Sequence, residues 1–346
     1  MTRKCLIQKV IWIFTALALI TVPLLSGAAE IDFGTAYTAA ELIKVRDWEK
    51  TWAGKKIDKN NIDQVAEFLP ESYVEIYKDP EKWGGPAEGL YFTIVPYQQY
   101  MPTKGVIEAT AKYSPMVKIG QDSEIANYAE IAGWPFPKAK TGWEMASNFD
   151  FNNHGDSAHY RKNLRNIDPK KRNDVISDSE YWELYWIHRT EVEPLPALPK
   201  NKKRIHRGYF YNTFLPPEFL NTRQFRLRYI DPDKPDDSYL WYAQYRRIRR
   251  FSSSQFNDSI DGTDLIFDDE YLWDGKINRN NYTYIGKKEL LCARHQDLNK
   301  TTRQGGQAIP NNLTFERFNT LVIDVINKDP NYVYSKRIWI LTQSHI

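Results

Sequence analysis

The stretch QFRLRYIDPDKPDDSYLWYAQYRRIRRF, residues 224–251, predicts the β-sheet that organises this chain. Its first positions alternate between apolar and cationic side chains, with Phe225, Leu227 and Tyr229 on one face and Arg226 and Arg228 on the other. This alternation is typical of a half-buried antiparallel strand. The polar, proline-containing segment 231–237 predicts the connection to a second strand over residues 238–251.

The second strand ends in a run of four arginines within five positions: Arg246, Arg247, Arg249 and Arg250. Strand alternation places Arg247 and Arg249 on the face of Trp241 and Tyr245, and the other two arginines on the opposite face. Each face therefore changes from apolar to cationic along the strand. We expect the end of this strand to leave the core and reach the rim of the sheet.

Regional charge predicts the partners of these arginines. Residues 200–250 hold thirteen Lys and Arg against five Asp and Glu, whereas residues 251–275 hold seven acids and no Lys or Arg. We expect the two segments to fold against each other through Arg–carboxylate pairs. The residues assigned to this structural pairing are Arg246, Arg250, Asp258, Asp261, Asp264, Asp268 and Asp269. Docking on an acidic partner and gripping an anionic lipid head group are the alternatives.

The rest of the chain predicts helices before the sheet and further strands within it. Thr38 and Glu41 have the spacing of a capping box, which predicts a helix up to Gly54. A second helical stretch is predicted to start after Asn60 or Asn61. Residues 78–142 are rich in Pro, Gly and Tyr and predict long loops with short strands. We therefore expect a mainly β protein with α-helices near its N-terminus and a largely antiparallel sheet in its second half.

Aromatic residues are abundant, with 11 Trp, 22 Tyr and 16 Phe, a composition that suits sheets and cavity walls. The segment EYWELYWIHRTEV, residues 180–192, predicts a strand with Trp182, Leu184 and Trp186 on one face. Ser177 and Glu180 have the spacing of a capping box, so a helix is the alternative prediction for this segment.

The N-terminus predicts export. Three cations precede an apolar run over residues 10–25 that ends in small residues, as in a cleavable signal peptide covering residues 1–29. An uncleaved membrane anchor is the alternative. No cysteine stands where a lipoprotein signal needs one, so we expect a soluble periplasmic protein. Cleavage would remove the three cations and lower the formal net charge from +3 to neutral.

Several functional classes find no support in the residues. A neutral mature chain has no overall field that attracts nucleic acid. Cys292 alone remains after cleavage, so no intramolecular disulfide forms. Neither a metal-ligand spacing nor a nucleophile motif is present, and we expect no catalytic residue, no metal and no cofactor. The polar, proline-rich residues 78–142 argue against an outer-membrane barrel.

A glycan-active enzyme or glycan-binding protein of the periplasm is the alternative function. It would use the acidic cluster around Asp268 and Asp269 together with nearby aromatic residues. Because neighbours on a strand point to opposite faces, a structural role for this pair of carboxylates is favoured.

Residues 240–269, LWYAQYRRIRRFSSSQFNDSIDGTDLIFDD, resemble an exported bacterial family catalogued as domain of unknown function 1329. They are also similar to the related outer-membrane lipoprotein-sorting proteins. The matching features are Trp241, Tyr242, the arginine run, Ser252, Ser253, Ser259, Gly262, Thr263, Asp264, Asp268, Asp269 and Gly275. Weaker likeness extends over residues 60–338 and includes RTEVEP, residues 189–194.

The resemblance implies an antiparallel half-barrel around a hydrophobic cavity, closed by N-terminal helices and long loops. We accordingly divide the chain into a signal peptide, residues 1–29, a helical and loop-rich part, residues 30–142, and the half-barrel, residues 143–346, the last two packed as one domain. In the family the strand that begins YSKR continues into further strands, so we expect a shortened C-terminus here.

The resemblance also implies a periplasmic carrier or accessory protein and no enzymatic activity. Its expected partners are a lipid or hydrophobic small molecule, a transporter of the resistance-nodulation-division class and outer-membrane components. The predicted ligand-binding residues are Trp182, Trp186, Phe225, Leu227, Tyr229, Trp241 and Tyr245 on the inner face, with Arg247 and Arg249 near the mouth.

Overall fold

The computed structural model describes residues 37–121, 124–151, 155–168, 173–251, 265–297, 299–302, 309–332 and 335–341. All of these residues fall in the unit Asp32–Ile346. The predicted signal peptide and the predicted pairing residues Asp258, Asp261 and Asp264 lie outside the described residues. No helix among the described residues is long and apolar enough to cross a membrane.

Four α-helices are present in the described part of the chain: α1, Ala39–Trp52; α2, Glu71–Lys78; α3, Lys104–Tyr113; and α4, Gly142–Asp150. The predicted capping box starts α1, since the Glu41 N–H donates to Thr38 Oγ1 at 3.2 Å and the Thr38 N–H donates to the Glu41 carboxylate at 2.7 Å. The stretch after Asn61 forms a 3-10 helix, Ile62–Phe68, and α2 follows Pro70.

Helix α3 lies within residues 78–142, where loops and short strands were predicted. Thr103 caps it by accepting the Val106 N–H at 3.4 Å. The prolines that suggested loops, Pro102 and Pro115, stand just outside the helix. They mark its ends, because proline is tolerated beside a helix and not in its interior.

Eleven strands are present in the described residues: β1, Lys56–Ile57; β2, Phe92–Ile94; β3, Ser157–Asp168; β4, Asn173–Tyr185; β5, Ile205–Leu215; β6, Arg223–Tyr229; β7, Asp237–Tyr242; β8, Arg247–Phe251; β9, Asn280–Cys292; β10, Leu313–Asn327; and β11, Ser335–Leu341. β3 to β8 form a six-stranded sheet in chain order, and each neighbouring pair is antiparallel.

The five remaining strands form a second sheet around β10. β10 pairs antiparallel with β9 and β11 and parallel with the short β2. Phe92 stacks on Phe315 in its core, with ring centroids 4.3 Å apart. The prediction of a mainly β fold with helices and open antiparallel sheets is confirmed, and the strands are divided between two sheets.

The stretch 224–251 forms three strands and not two. β6 and β7 pair as predicted, but the chain turns back at residues 243–246, so that β8 pairs with β7. The register explains this turn. Arg223, the first residue of β6, lies opposite Trp241, so the chain beyond Trp241 has no residue of β6 left to pair with. The hairpin supplies the missing hydrogen-bond partners from the chain itself.

Both faces of β6 are buried near its C-terminal end. Leu227 and Tyr229 are buried on one face, but Arg226 and Arg228 are only 8% and 7% exposed on the other, while Phe225 is 39% exposed. The prediction of a half-buried strand is therefore wrong for this end. Arginines tolerate such burial only when carboxylates neutralise them, and the segment 265–277 supplies one of those carboxylates.

Two buried charged side chains fix the loop that follows β4. The Asp156 carboxylate accepts three backbone N–H groups at 2.6–2.8 Å, from Thr190, Glu191 and Val192. The Arg189 guanidinium donates to four backbone carbonyls, those of Asp156, Tyr185, Val192 and Pro194. The strand predicted over residues 180–192 ends at Tyr185. The Trp186 N–H still donates to the His206 carbonyl of β5, but the backbone N–H groups of residues 190–192 donate to the Asp156 carboxylate.

Candidate functional site

A cavity of about 1,100 Å³ is lined by residues from both sheets and from the segments between them. The two sheets contribute His206 of β5, Arg228 and Tyr229 of β6, and Asn280 and Tyr282 at the start of β9. The segments between them contribute Tyr128 from a short 3-10 helix, Lys276 ahead of β9, and Trp143, Ser147 and Asp150 from α4. The cavity wall therefore combines aromatic surface with charged and amide groups.

Arg228 and Lys276 connect the cavity to a buried ionic cluster. The cluster contains the cations Arg207, Arg226, Arg228 and Lys276 and the carboxylates Glu183, Asp236 and Asp274, each with a side chain at most 10% exposed. Arg226 donates to Asp236 at 2.7 Å, and Arg228 donates to Asp274 at 2.7 Å. Arg207 contacts Glu183 at 3.0 Å and also pairs with Asp274. The cluster thus ties the segment 265–277 to three neighbouring strands.

Burial and charge shift the pKa values of this cluster in opposite directions. Burial would raise the pKa of Asp236, but Arg228 and Arg226 outweigh it and hold that pKa below its ordinary value. Burial lowers the pKa of Lys276 to about 8, although the nearby Asp236 carboxylate counteracts part of this effect. The carboxylate of Asp236 is therefore ionised at neutral pH and serves as an ion-pair partner.

A second titratable group in the cavity wall consists of Tyr128, Asp150 and His206. Tyr128 Oη donates to Asp150 Oδ2 at 2.5 Å and lies 3.5 Å from His206 Nδ1. Burial raises the pKa of both the Tyr128 hydroxyl and the Asp150 carboxyl. His206 Nε2 is buried and has no hydrogen-bond partner within the part of the chain that the structure describes.

His188 packs against this group from the loop after β4. Its ring stacks on Phe151 with centroids 3.7 Å apart and lies 4.9 Å from the His206 ring. Burial lowers the pKa of His188 to about 3, and burial together with His188 lowers the pKa of His206. Both imidazoles are therefore neutral at physiological pH.

The two buried histidines predict acid sensitivity. An unfolded histidine has a pKa of about 6.5, so the unfolded chain takes up protons that the folded chain refuses. The stabilisation is complete above that pH and is lost as the pH falls towards about 3, the folded-state pKa of His188. We expect the free energy of unfolding, measured by urea titration, to fall below pH 6.5 by about 1.4 kcal/mol per pH unit for each proton.

A histidine replacement isolates this effect. His188→Phe keeps the stacking ring and should flatten the dependence of unfolding free energy on pH. His159→Phe is the matched control, because it makes the same replacement at a histidine whose side chain is 56% exposed, outside the buried pair. An unchanged slope in His188→Phe would show that acid sensitivity originates elsewhere.

Six of the predicted ligand-binding residues share one face of the six-stranded sheet. Cross-strand pairing aligns Trp182, Phe210, Phe225 and Tyr239 in one row. Leu227, Tyr229, Trp241 and Trp186 lie on the same face. Tyr229 also lines the cavity between the sheets, so it joins the predicted face to the observed cavity. The role of these residues in binding stays a prediction.

The predicted residues of the arginine run lie apart from that row. Tyr245 and Arg246 are in the β7–β8 turn, and Arg247 and Arg249 are on the opposite face of β8. Arg250 donates to Asp237 at 2.5 Å, and Asp237 is not among the carboxylates that were predicted as its ion-pair partners.

Asp268 and Asp269, the described acids of the predicted pairing, both accept hydrogen bonds within the fold. Asp268 accepts the Tyr332 hydroxyl at 3.2 Å, and Asp269 accepts the Ile266 N–H at 2.9 Å. Asp274, which was not assigned to the pairing, bonds to Arg207 and Arg228. The acidic segment therefore meets arginines of β5 and β6.

Most of the cavity wall, including Tyr128, Asp150, His206 and Lys276, was not predicted from the sequence. These residues come from separate segments and form no local motif. β5 itself was missed, although its Tyr and Phe residues over 205–215 are typical of a strand. The described residues contain no group of His, Cys, Asp and Glu arranged to hold a metal, and His154 lies outside them.

Solved structures and family models place the chain among known proteins. A crystal structure of a DUF1329 family protein from Desulfovibrio piger is similar at 11% identity and a TM-score of 0.39, covering 58% of this chain and 67% of that one. A domain from Vibrio parahaemolyticus, described as a candidate outer membrane lipoprotein-sorting protein domain, is similar at 15% identity and a TM-score of 0.37. That match covers 58% of this chain and 66% of the other.

No curated protein matches the chain. The family model for Protein of unknown function (DUF1329) matches residues 56–342, most of the chain, in agreement with the motifs at 240–269. The chain therefore belongs to the DUF1329 family.

Proposed function

We propose that this chain is a periplasmic carrier or accessory protein that binds a lipid or another largely apolar compound, and that it is not an enzyme. The observation that carries the proposal is the cavity of about 1,100 Å³ between the two sheets. Ligand pockets for small molecules usually measure roughly 300–1,000 Å³, so this cavity has room for a larger, lipid-like molecule.

The lining of the cavity suits an amphiphile. Trp143, Phe151 and Tyr282 offer apolar surface for a hydrocarbon or ring system. His206 and Asn280 offer polar groups for a head group. A hydroxyl or phosphate oxygen near His206 Nε2 would give that buried nitrogen the hydrogen-bond partner that the described residues do not provide.

The environment of the carboxylates favours a carrier over the glycan-active alternative. Asp236 and Asp274 are held in ion pairs with arginines, and Asp268 and Asp269 accept hydrogen bonds within the fold. Carboxylates engaged in this way stabilise the fold and are poorly placed for general acid–base work. A carrier needs only reversible binding.

The proposal extends to the direction of transport and to the transporter that delivers the cargo. The family resemblance supports a protein that receives its cargo from a transporter of the resistance-nodulation-division class and moves it towards the outer membrane. The signal-like N-terminus supports export to the periplasm.

Filling part of the cavity should weaken ligand binding. Ala126 and Ala129 line the cavity without belonging to the buried core, so the double variant Ala126→Trp/Ala129→Trp should fold and occupy part of the space. We expect its affinity for a dansyl-labelled fatty acid, measured by equilibrium dialysis, to be at least about tenfold weaker, a loss of about 1.4 kcal/mol.

The matched control introduces a tryptophan elsewhere. Ala40 is exposed on α1, and Ala40→Trp should bind the probe like the wild type. Equal binding by the double variant and the wild type would refute a ligand site in this cavity, as would a wild type that does not bind the probe.

A further inference from the structure

Two turns meet at one end of the six-stranded sheet and expose apolar side chains there. The β5–β6 connection contacts the β7–β8 turn, because the Gln244 side-chain amide donates to the Glu218 carbonyl. We call residues 215–223 and 243–249 the sheet-end patch. Its exposed apolar residues are Leu215 (41%), Phe219 (38%), Leu220 (47%), Tyr245 (69%) and Ile248 (66%).

The sheet-end patch is also cationic. Arg223, Arg246, Arg247 and Arg249 are exposed in it, and none of the four forms an ion pair with another described residue. Arg250, the next residue along β8, is different because Asp237 neutralises it at 2.5 Å. Glu218 is the one acidic residue in the patch. The patch therefore combines a clear excess of positive charge with apolar side chains that have no cover among the described residues.

Exposed apolar side chains and surface arginines are each common alone, so their combination in one patch is the informative observation. Single exposed apolar residues occur on most protein surfaces, and unpaired surface arginines are common. Here Tyr245 directly precedes the arginine run, and Ile248 stands within it between Arg247 and Arg249. An acidic protein surface would match the arginines alone. A membrane interface offers phosphates to the arginines and a head-group region to the apolar side chains.

We propose that the sheet-end patch docks the protein on the surface of a membrane rich in anionic phospholipids. β8 is the edge strand of the sheet and meets the membrane edge-on. Tyr245 and Ile248 enter the boundary between head groups and acyl chains, while Arg246, Arg247 and Arg249, the last two on the face opposite Ile248, bind lipid phosphates. This docking does not depend on the cavity or its ligand. It gives the chain a membrane-facing end.

Vesicle flotation tests the proposal. The purified protein should float with vesicles of phosphatidylglycerol and phosphatidylcholine at low salt and remain behind with vesicles of phosphatidylcholine alone. Binding should weaken as salt screens the charges. The variant Arg246→Ser/Arg247→Ser/Arg249→Ser should bind the anionic vesicles at least about tenfold more weakly, because each basic residue near a charged membrane contributes favourably.

Two further variants separate the contributions. Tyr245→Ser/Ile248→Ser keeps every charge and should weaken binding at high salt, where apolar insertion dominates. Lys59→Ser/Lys202→Ser/Lys203→Ser removes three exposed cations outside the patch and should bind like the wild type. Equal loss in this control and in the arginine variant would overturn the proposal in favour of a non-specific charge effect.

Failure of docking and failure of the carrier function can be told apart. The cavity variant Ala126→Trp/Ala129→Trp should still float with anionic vesicles, since its sheet-end patch is unchanged. A wild type that stays unbound to phosphatidylglycerol vesicles at low salt would overturn membrane docking and leave an acidic protein as the partner to seek, without affecting the fatty-acid result.

Discussion

Asp274→Ala is expected to destabilise the fold by about 3–5 kcal/mol, the usual cost of removing one partner from a buried ion pair. Asp274 is 6% exposed and bonds to both Arg207 and Arg228. Its loss would leave two buried guanidiniums with less compensation in a region of low dielectric constant. It would also release the segment 265–277 from β5 and β6.

Chemical denaturation followed by circular dichroism measures this change. Asp274→Asn, which keeps the shape and one carbonyl oxygen but loses the charge, should fall between the wild type and the Ala variant. The control is Arg247→Ala/Arg249→Ala, whose side chains are exposed on β8 and should change stability by about 0.5 kcal/mol or less. A loss of unfolding free energy below about 1 kcal/mol in Asp274→Ala would show that the ionic cluster does not hold the segment 265–277 against β5 and β6.

Asp156→Ala is expected to cost about 3 kcal/mol or more. Asp156 is 1% exposed, and its carboxylate accepts the N–H groups of Thr190, Glu191 and Val192. Leaving a buried donor without its acceptor costs about 1–3 kcal/mol for each group, and three donors lose theirs together. The loop after β4 should loosen, and with it His188 beside the cavity.

The same denaturation experiment and hydrogen exchange of residues 189–194 measure this effect. Asp329→Ala is the control, because Asp329 accepts the Asn331 N–H at 2.9 Å in an exposed turn where water can replace the carboxylate. Its cost should stay below about 1 kcal/mol. Fast exchange confined to residues 189–194 in the wild type would contradict a loop that Asp156 holds in place.

Local patterns predicted the elements that depend on neighbouring residues. The capping box at Thr38 and Glu41 predicted the start of α1, and alternation over 224–230 predicted β6 and its pairing with β7. The β7–β8 hairpin was missed because its turn carries no glycine or proline signal. The place of this turn depends on where β6 begins relative to β7. That register is set by the tertiary structure and not by the residues of the turn.

The burial of a face could not be predicted from alternation alone. Phe225 and Arg226 were assigned to opposite faces, as the structure has them, but the apolar residue is the more exposed of the two. Arg226 is buried because Asp236, ten residues further along, pairs with it at 2.7 Å. Charge counts showed that acids and arginines would meet, whereas the pairs themselves depend on how the segment 265–277 crosses the sheet.

The cavity was the least predictable part of the molecule. Its walls come from β5, β6, β9, α4 and the loop around Tyr128, which are brought together only by the packing of both sheets. Of the predicted ligand-binding residues, Tyr229 lines it. Trp182 and Phe225 lie in one cross-strand row, and the role of that face in ligand binding is still a prediction.

Native mass spectrometry of the protein purified gently from cells, without detergent, tests the carrier proposal most directly. We expect a stoichiometric additional mass, released by organic solvent and identified as a lipid or a similarly apolar compound, and a smaller share of that mass on Ala126→Trp/Ala129→Trp. A monodisperse wild type that carries the mass of the bare chain in repeated preparations, and takes up no lipid when lipid is supplied, would contradict it.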